Sequence, residues 1–532
     1  MCVAAGSLSQ SEADYLLRGI EFGFDFDLDE SKIPTGYRPN YRSAFENKSK
    51  VTDALRKRVL SGKTLRLGAW NAKDPLPTGS EGCVVPQGAV AKKLEPDSVR
   101  PVSDHTKTGF NAAVDMSRMQ HTLDTYNEIG RELQYSYYMR VEDVDGAFPV
   151  IPLAPRLWKY MYVHWFDVNL PLEGQSAPNT LYIHVFGDFG TSPMPAIWDK
   201  FFRGVKAMAQ AAGVLTLPMP HFVDDSSLIG PDSAKVDEEA ERLGEFLITL
   251  GISFKGLKSR KASMVQLVLG FWWDSVERTR TLESHKLELY LSHLRQAKTA
   301  RYLTLHDMQV LSGRMQRAAL TMPPRAIVYL AHILRLMKGL TMPWHRRRVN
   351  AAVRRDIDML ISVLETNSGR GYFSYDQFGR ANDVFTDAAK ERRHTGGGYF
   401  STCGAYDFWV YGGSTSRQPI DYLEGDAVLR VAQDLGHTWK NKVVPIWIDN
   451  TSFCYSFEKG RSKAERLNIL LRKLFLLSVK HECVFEPHWL ASADNVAADA
   501  LSRGDMQRFK AHVDEHFPGG LRLARRGVPD AA

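Results

Sequence analysis

Cysteine is scarce in this 532-residue chain. Its five cysteines, Cys2, Cys83, Cys403, Cys454 and Cys483, form no CxxC pair, and their number is odd. A disulfide framework or a zinc finger is thereby excluded as the basis of the fold, and a reducing compartment is expected. Long apolar runs are also missing: none approaches the roughly 18 residues that a membrane span needs. The first residues, MCVAAGSLSQSEADYLL, lack a basic start followed by an apolar core, so no signal peptide is expected. Cytoplasm or nucleus follows as the expected location, with no membrane partner. Internal repeats and long low-complexity tracts are absent as well.

What is present is ordinary globular material. Hydrophobic residues make up 44% and charged residues 24%, enough for cores without covalent staples. The length calls for three or four domains. The net charge of +7 leans toward a phosphate-rich partner, though weakly. Residues 1–80 read as helices and polar loops, and KDPLPTGSEG (73–82) as a connector. From about 83 to 275, short apolar runs mix with helical segments, an α+β pattern. Residues 276–370 are mainly helical, with Thr304 and Asp307 as an N-cap pair ahead of Met308, Leu311 and Met315. From about 381, strand-like strings return in DVFTDAA, GGGYFS, DFWVYGG and VVPIWIDN. Gly396, Gly397 and Gly398 read as a hairpin turn rather than a phosphate cradle.

Two strings carry the first set of carboxylates. HFVDDSSLIG (221–230) reads as strand, tight turn and strand, with Asp224 and Asp225 at the turn. Alone it is weak, because paired aspartates are common turn formers. YYMRVEDVDGAFPVIPL (137–153) ends an apolar strand at Asp143, 81 residues earlier, and turns at Gly146 toward Phe148. Nucleotidyl transfer by two divalent ions needs carboxylate ligands, and carboxylates from two neighbouring strands meet that need. Glu142 and Asp145 read as solvated turn charges.

In order, these strings resemble the reverse transcriptase family. AKKLEPDSVRPVSDH (91–105) is similar to its fingers segment, FGDFGTSPMPAIW (186–198) to the motif around template and nucleotide, and FVDD (222–225) to its aromatic-x-Asp-Asp motif. LGISFKGLKS (250–259) resembles the motif that follows, and VLGFWWDS (268–275) the primer grip. The glycine motif carries one residue more than usual between Gly187 and Pro193, and Gly146 stands where Asp or Ser is common. The resemblance implies a right hand of fingers, palm and thumb. It implies Asp143, Asp224 and Asp225 as metal ligands, and Lys93 and Arg100 on the incoming triphosphate. Phe148 would exclude a ribose 2′-hydroxyl, Gly187 would border the nucleotide, Lys258 would assist the leaving pyrophosphate, and Phe271 and Trp272 would hold the primer. Singly, each of these other than the aspartates has an ordinary surface or core reading.

A second acidic series follows. VFTDAA ends a strand in Asp387, YLEGDAVLRVA puts Glu424 in the first turn of a helix, VVPIWIDNTS ends a strand in Asp449, and NVAADALSRGD puts Asp499 at a helix start. Each string is weak alone. Together they resemble RNase H, and ADALSR is similar to retroelement versions. The implied chemistry is two magnesium ions, with manganese as a substitute, across a scissile phosphate. His488, eleven residues before Asp499, does not align with the histidine that assists related nucleases and reads as a surface or core residue.

LLRGIEFGFDFDLDESKIPTGYRPNYRSAFENKSKVTDAL (16–55), with LGFWWDSVERTRTLE and YLTLHDMQVLSGRMQRAALTMPP, resembles the tyrosine-recombinase (DIRS-like) retrotransposon type. The expected division is a helical leader (1–82), fingers and palm (83–275), a helical thumb and connection (276–370), an RNase H-like α/β domain (371–510) and a basic tail (511–532). Expected partners are RNA template, DNA primer, RNA–DNA hybrid and dNTPs, with recombinase, integrase or capsid functions on other chains. Three rivals share many of these features: a silent nucleic-acid-binding scaffold, an RNA-dependent RNA polymerase, and a chain in which only the nuclease acts.

Overall fold

In a computed structural model of the chain, residues 2, 6, 8–79, 81–91, 99–119, 124–170, 179–256, 260–518 and 520–526 are described. The chain divides into two compact units, Met1–Leu269 and Gly270–Ala532. Both mix helices and sheets, so the α+β multidomain organisation expected from the sequence is what is found. Among the described residues no helix is long and apolar enough to cross a membrane.

The first unit opens with helices α1 (Gln10–Phe22) and α2 (Lys48–Leu60). Strands β1 (Thr64–Ala69), β2 (Cys83–Val84), β3 (Gln87–Ala91), β4 (Val99–Ser103) and β5 (Tyr138–Asp143) follow. Next come β6 (Tyr162–Phe166), β7 (Asn179–His184), helix α3 (Met194–Ala211), β8 (His221–Phe222), β9 (Asp225–Gly230) and helix α4 (Ser233–Thr249). A five-stranded sheet runs from the short strand Gly36–Tyr37 through β2, β6 and β7 to β1. β3 and β4 form a separate hairpin, and β5, β9 and β8 a three-stranded antiparallel sheet. Helix α3 carries Pro195 in its first turn, where a proline's missing amide costs no helical hydrogen bond. Its buried face, including Met194, Trp198 and Phe202, joins Leu243 of α4 and Phe24 in one apolar core. That core holds the β5–β9 sheet in place, since five of the six β5 side chains are buried.

The second unit begins with antiparallel strands β10 (Phe271–Asp274) and β11 (Thr279–Leu282). Helices α5 (Leu305–Ala318) and α6 (Ala351–Thr366) and strand β12 (Arg370–Tyr372) follow. The capping box at α5 is as expected: Thr304 Oγ1 accepts from the Asp307 amide at 3.1 Å, and Met308, Leu311 and Met315 are buried. A mixed sheet then assembles from β13 (Val384–Lys390), β14 (Thr395–Ser401), β15 (Ala405–Val410), helix α7 (Ile420–Leu435), β16 (Lys442–Ile448), helix α8 (Glu465–Lys480), β17 (Val484–Trp489) and helix α9 (Val496–Ser502). β13, β14 and β15 pair antiparallel in sequence, whereas β16 runs parallel to both β13 and β17.

Gly396, Gly397 and Gly398 do not form the expected turn. They lie inside β14, paired with β13 on one side and β15 on the other. The cause is close approach. A Cβ on Gly398 would sit 2.6 Å from Leu501 Cβ, one on Gly397 2.7 Å from the Trp409 ring, and one on Gly396 would collide with the Ser502 carbonyl. Only bare backbone lets α9 press against the strand.

Candidate active sites

The first acidic group is built on the β5–β9 pair. Asp143 ends β5, Asp225 begins β9, and the two are cross-strand partners. β8 and β9 are joined by the two-residue loop Val223–Asp224, with Asp225 opposite Phe222. Val223 takes φ +55°, a region that a β-branched residue enters only at a cost of about 1–3 kcal/mol. Its carbonyl accepts from Trp198 Nε1 at 2.6 Å, which anchors the strained loop to the core. Gly146, with φ +67°, turns the chain after Asp143 as the sequence suggests.

Asp143 is fully buried, and Lys255 Nζ donates to its Oδ1 at 2.9 Å. The Lys255 amide also donates to the Asp143 carbonyl at 2.7 Å, fixing the ammonium beside the carboxylate. Burial, and then the charge of Asp224, pushes Asp225 up to about 6, against the pull of Lys255. Asp145 is exposed and lies 3.9 Å from Lys255. Glu142 departs from its reading as a solvated turn charge. It is buried within β5, and Arg140 Nε donates to it at 2.7 Å. Residues two apart on a strand share a face, so Arg140 neutralises it locally.

A cavity of about 430 Å³ adjoins this group, and Asp145, Asp224, Lys255 and Arg100 are among its lining residues. Arg100 lies over the Phe189 ring at 4.5 Å. Phe148 does not line the cavity; its ring is 5.2 Å from Phe189, which does. Gly187 is a packing position, where a Cβ would lie 2.8 Å from the Phe148 carbonyl oxygen. Lys93 and Lys258 lie outside the described residues. Phe271 and Trp272 belong to the second unit, where Phe271 is buried and Trp272 is 38% exposed.

The cavity also reveals residues that sequence reasoning missed. Asp188 is buried and accepts from Thr191 Oγ1 at 2.6 Å, with His105 Nε2 at 3.2 Å. Burial opposes its charge, but the His105 ring and the charges of His184 and Arg58 hold Asp188 well below the usual carboxylate range. Burial, aided by Arg58, drives His184 down to about 3. His105 and Asp188 are 83 residues apart, so no local spacing marks the pair.

The second acidic group is more compact. Asp387 lies within central strand β13, Glu424 in α7 and Asp449 directly after β16. Each offers a carboxylate oxygen within 4.8 Å of the others, and this is the one such group of three among the described residues. Helix α7 begins at Ile420, so Glu424 stands beyond the first turn where the sequence put it. Asp387 and Glu424 are buried, and Glu424 Oε2 has no hydrogen-bond partner. Burial chiefly, with the charges of Asp449 and Asp499, pushes Asp387 up to about 7, although Ser502 Oγ donates to it. Burial, then the charges of Asp387 and Asp449, raises Glu424 well above its ordinary value. Ser492 Oγ donates to Asp449 Oδ2 at 2.7 Å.

Asp499 is not part of that compact trio. Arg503 Nε donates to it at 2.7 Å, and Arg508 ion-pairs with its other oxygen. His488 stacks on Trp447, centroids 4.6 Å apart, and pairs with Glu486 at 3.0 Å.

Hard oxygen donors, a buried partnerless oxygen and carboxyls that resist ionising suit the trio to a divalent cation. In the first group, Asp143 and Asp225 offer the same donor type, but Asp143 already has a counter-charge in Lys255.

No protein-family model matches the chain, and no curated protein matches it. Solved structures do. A foamy viral protease-reverse transcriptase in complex with RNA/DNA hybrid is 15% identical, with a TM-score of 0.47 over 88% of this chain and 57% of that one. The foamy viral protease-reverse transcriptase dRH in complex with ds DNA is 13% identical, with a TM-score of 0.46 over 91% of this chain and 79% of that one. The chain thus spans little more than half the length of the first.

Proposed function

We propose that the chain is an RNA-directed DNA polymerase carrying an RNase H nuclease, of the retroelement type suggested by its DIRS-like strings. The observation that carries this reading is the presence of an acidic group in each unit: Asp143 and Asp225 at facing strand ends in the first, and the Asp387, Glu424 and Asp449 trio in the second. The Asp143/Asp224/Asp225 group would serve nucleotidyl transfer. Asp387, Glu424 and Asp449 would serve phosphodiester hydrolysis, with Asp499 completing the set.

Asp143, Asp224 and Asp225 in the first unit, and the trio in the second, would hold magnesium, with manganese as a substitute. Bound there, the ions would supply charge neutralisation at the phosphate and activation of the attacking oxygen. The chain's own residues do the positioning. Ser502 aims Asp387, Ser492 holds one oxygen of Asp449, and the strained Val223 loop presents Asp224. Lys255 supplies the counter-charge to Asp143. Arg100, which lies over the Phe189 ring, would contact a phosphate. The net charge of +7 is compatible with a template–primer duplex held mainly through its phosphates, with strong salt dependence.

One observation favours a second reading, in which the nuclease alone acts: among the described residues, the compact three-carboxylate group lies in the second unit. Extension of a DNA primer on an RNA template, run with magnesium and with EDTA, separates the two. dNTP-dependent extension supports the polymerase reading. Template cleavage without extension supports the nuclease alone. Incorporation of rNTPs in place of dNTPs would overturn the assignment as a DNA polymerase.

A further inference from the structure

Helix α2 lies in the N-terminal leader, outside the strings that resemble the polymerase. Lys50, Asp53, Ala54, Lys57 and Arg58 follow the i, i+3, i+4, i+7, i+8 spacing of one helix face, and all five line the cavity beside Asp145 and Asp224. Asp53, the acid on that face, is already paired with Arg56 at 2.6 Å. Arg58 is engaged as an anchor. Its Nη2 donates to the carbonyls of Phe186 and Gly187, each at 3.3 Å, and its Nε to Thr64 Oγ1 at 3.2 Å. These bonds tie α2 to the loop that carries Asp188 and Phe189. Lys50 and Lys57 have no side-chain hydrogen-bond or ion-pair partner among the described residues.

The cavity therefore collects Lys50, Lys57, Arg58 and Arg100 along its lining, with Lys255 beside the carboxylates. Like charges gathered in a concave site repel one another and focus potential on an anion that enters. At about 430 Å³ the cavity falls within the range that encloses a small-molecule ligand.

We propose that Lys50 and Lys57 bind the phosphates of the incoming deoxynucleoside triphosphate, so that the leader helix forms part of the nucleotide pocket. This rests on the polymerase reading above and adds to it a second source of phosphate-binding cations beyond the β3–β4 hairpin. Arg58 is a positioning residue that fixes the helix, whereas the two lysines touch the ligand.

The test uses the full chain with Lys50→Ala/Lys57→Ala. Three quantities are measured: the Kd for dATP at equilibrium, the KM for dATP and kcat in primer extension, and the Kd for the primer–template. Loss of two charge-assisted contacts should raise Kd and KM for dATP about ten-fold or more. The kcat and primer–template Kd should stay within about two-fold. The Lys50→Arg/Lys57→Arg chain, which keeps both charges, should recover most of the dATP affinity. Unchanged dATP values overturn the proposal while wild-type extension leaves the polymerase reading standing. Weakened primer–template binding alone also overturns it and assigns the lysines to the nucleic-acid backbone. A wild-type chain that neither binds dATP nor extends a primer overturns the proposal together with the reading beneath it.

Discussion

Replacing Asp387 with asparagine should stabilise the metal-free protein at pH 8. Asp387 is buried beside Glu424 and Asp449, and its pKa is pushed from the ordinary 3.8 to about 7. The folded state thus holds this proton more tightly than the unfolded chain does. Its stabilising contribution is complete below about pH 4 and is lost as pH rises through about 7. A rise from 3.8 to about 7 corresponds to roughly 4 kcal/mol. Asparagine does not ionise, so D387N escapes that loss, and its amide oxygen can still accept from Ser502. The assay is thermal unfolding of the full chain in EDTA at pH 5 and pH 8. At pH 8 the transition of the second unit should rise by on the order of 10 °C in D387N. Near pH 5 the gap should narrow to a few degrees. Adding magnesium should raise the wild-type transition and move D387N much less, because the cation replaces the missing counter-charge. A gap of equal size at both pH values, or equal stabilisation of both proteins by magnesium, would refute the reasoning.

Three further outcomes follow from the packing. Lys255→Met leaves the buried Asp143 carboxylate without its ammonium and should cost about 3 kcal/mol in urea unfolding without metal, less with magnesium. Gly396→Ala drives a methyl group into the Ser502 carbonyl, displacing α9; hybrid cleavage should fall at least about ten-fold while primer extension persists. Thr304→Ala removes the cap of α5 and should cost about 1 kcal/mol with no change in either activity.

The sequence made some of this legible because the signals were local. The FVDD string combines a short apolar run with adjacent aspartates, and the fold makes it a two-residue hairpin. The Thr304 cap needed only its own spacing. Asp387 and Asp449 fall where apolar strands end or continue, and parallel pairing of those strands brings them together. Other features depended on partners remote in sequence. A glycine run looks alike in a turn and in a strand under a helix, and its role at Gly396 and Gly398 is set by Ser502 and Leu501, about a hundred residues away. The His105–Asp188 pair and the grip of Arg58 on the 186–187 carbonyls have the same character. Glu142 is different, because Arg140 two residues earlier was a readable sign of pairing along one strand face. Lys255, too, sat in the string singled out for its later lysine, and only the fold shows its ammonium on Asp143.

Separation of function tests the central claim most directly: that two acidic groups in two units run two reactions. The wild-type chain, D224N/D225N and D387N would each be given a DNA primer on labelled RNA, with extension and template cleavage resolved on one gel. The account expects D224N/D225N to lose extension and keep cleavage, and D387N to do the reverse. Loss of both activities in either variant at unchanged stability, or retention of both in each, would contradict it.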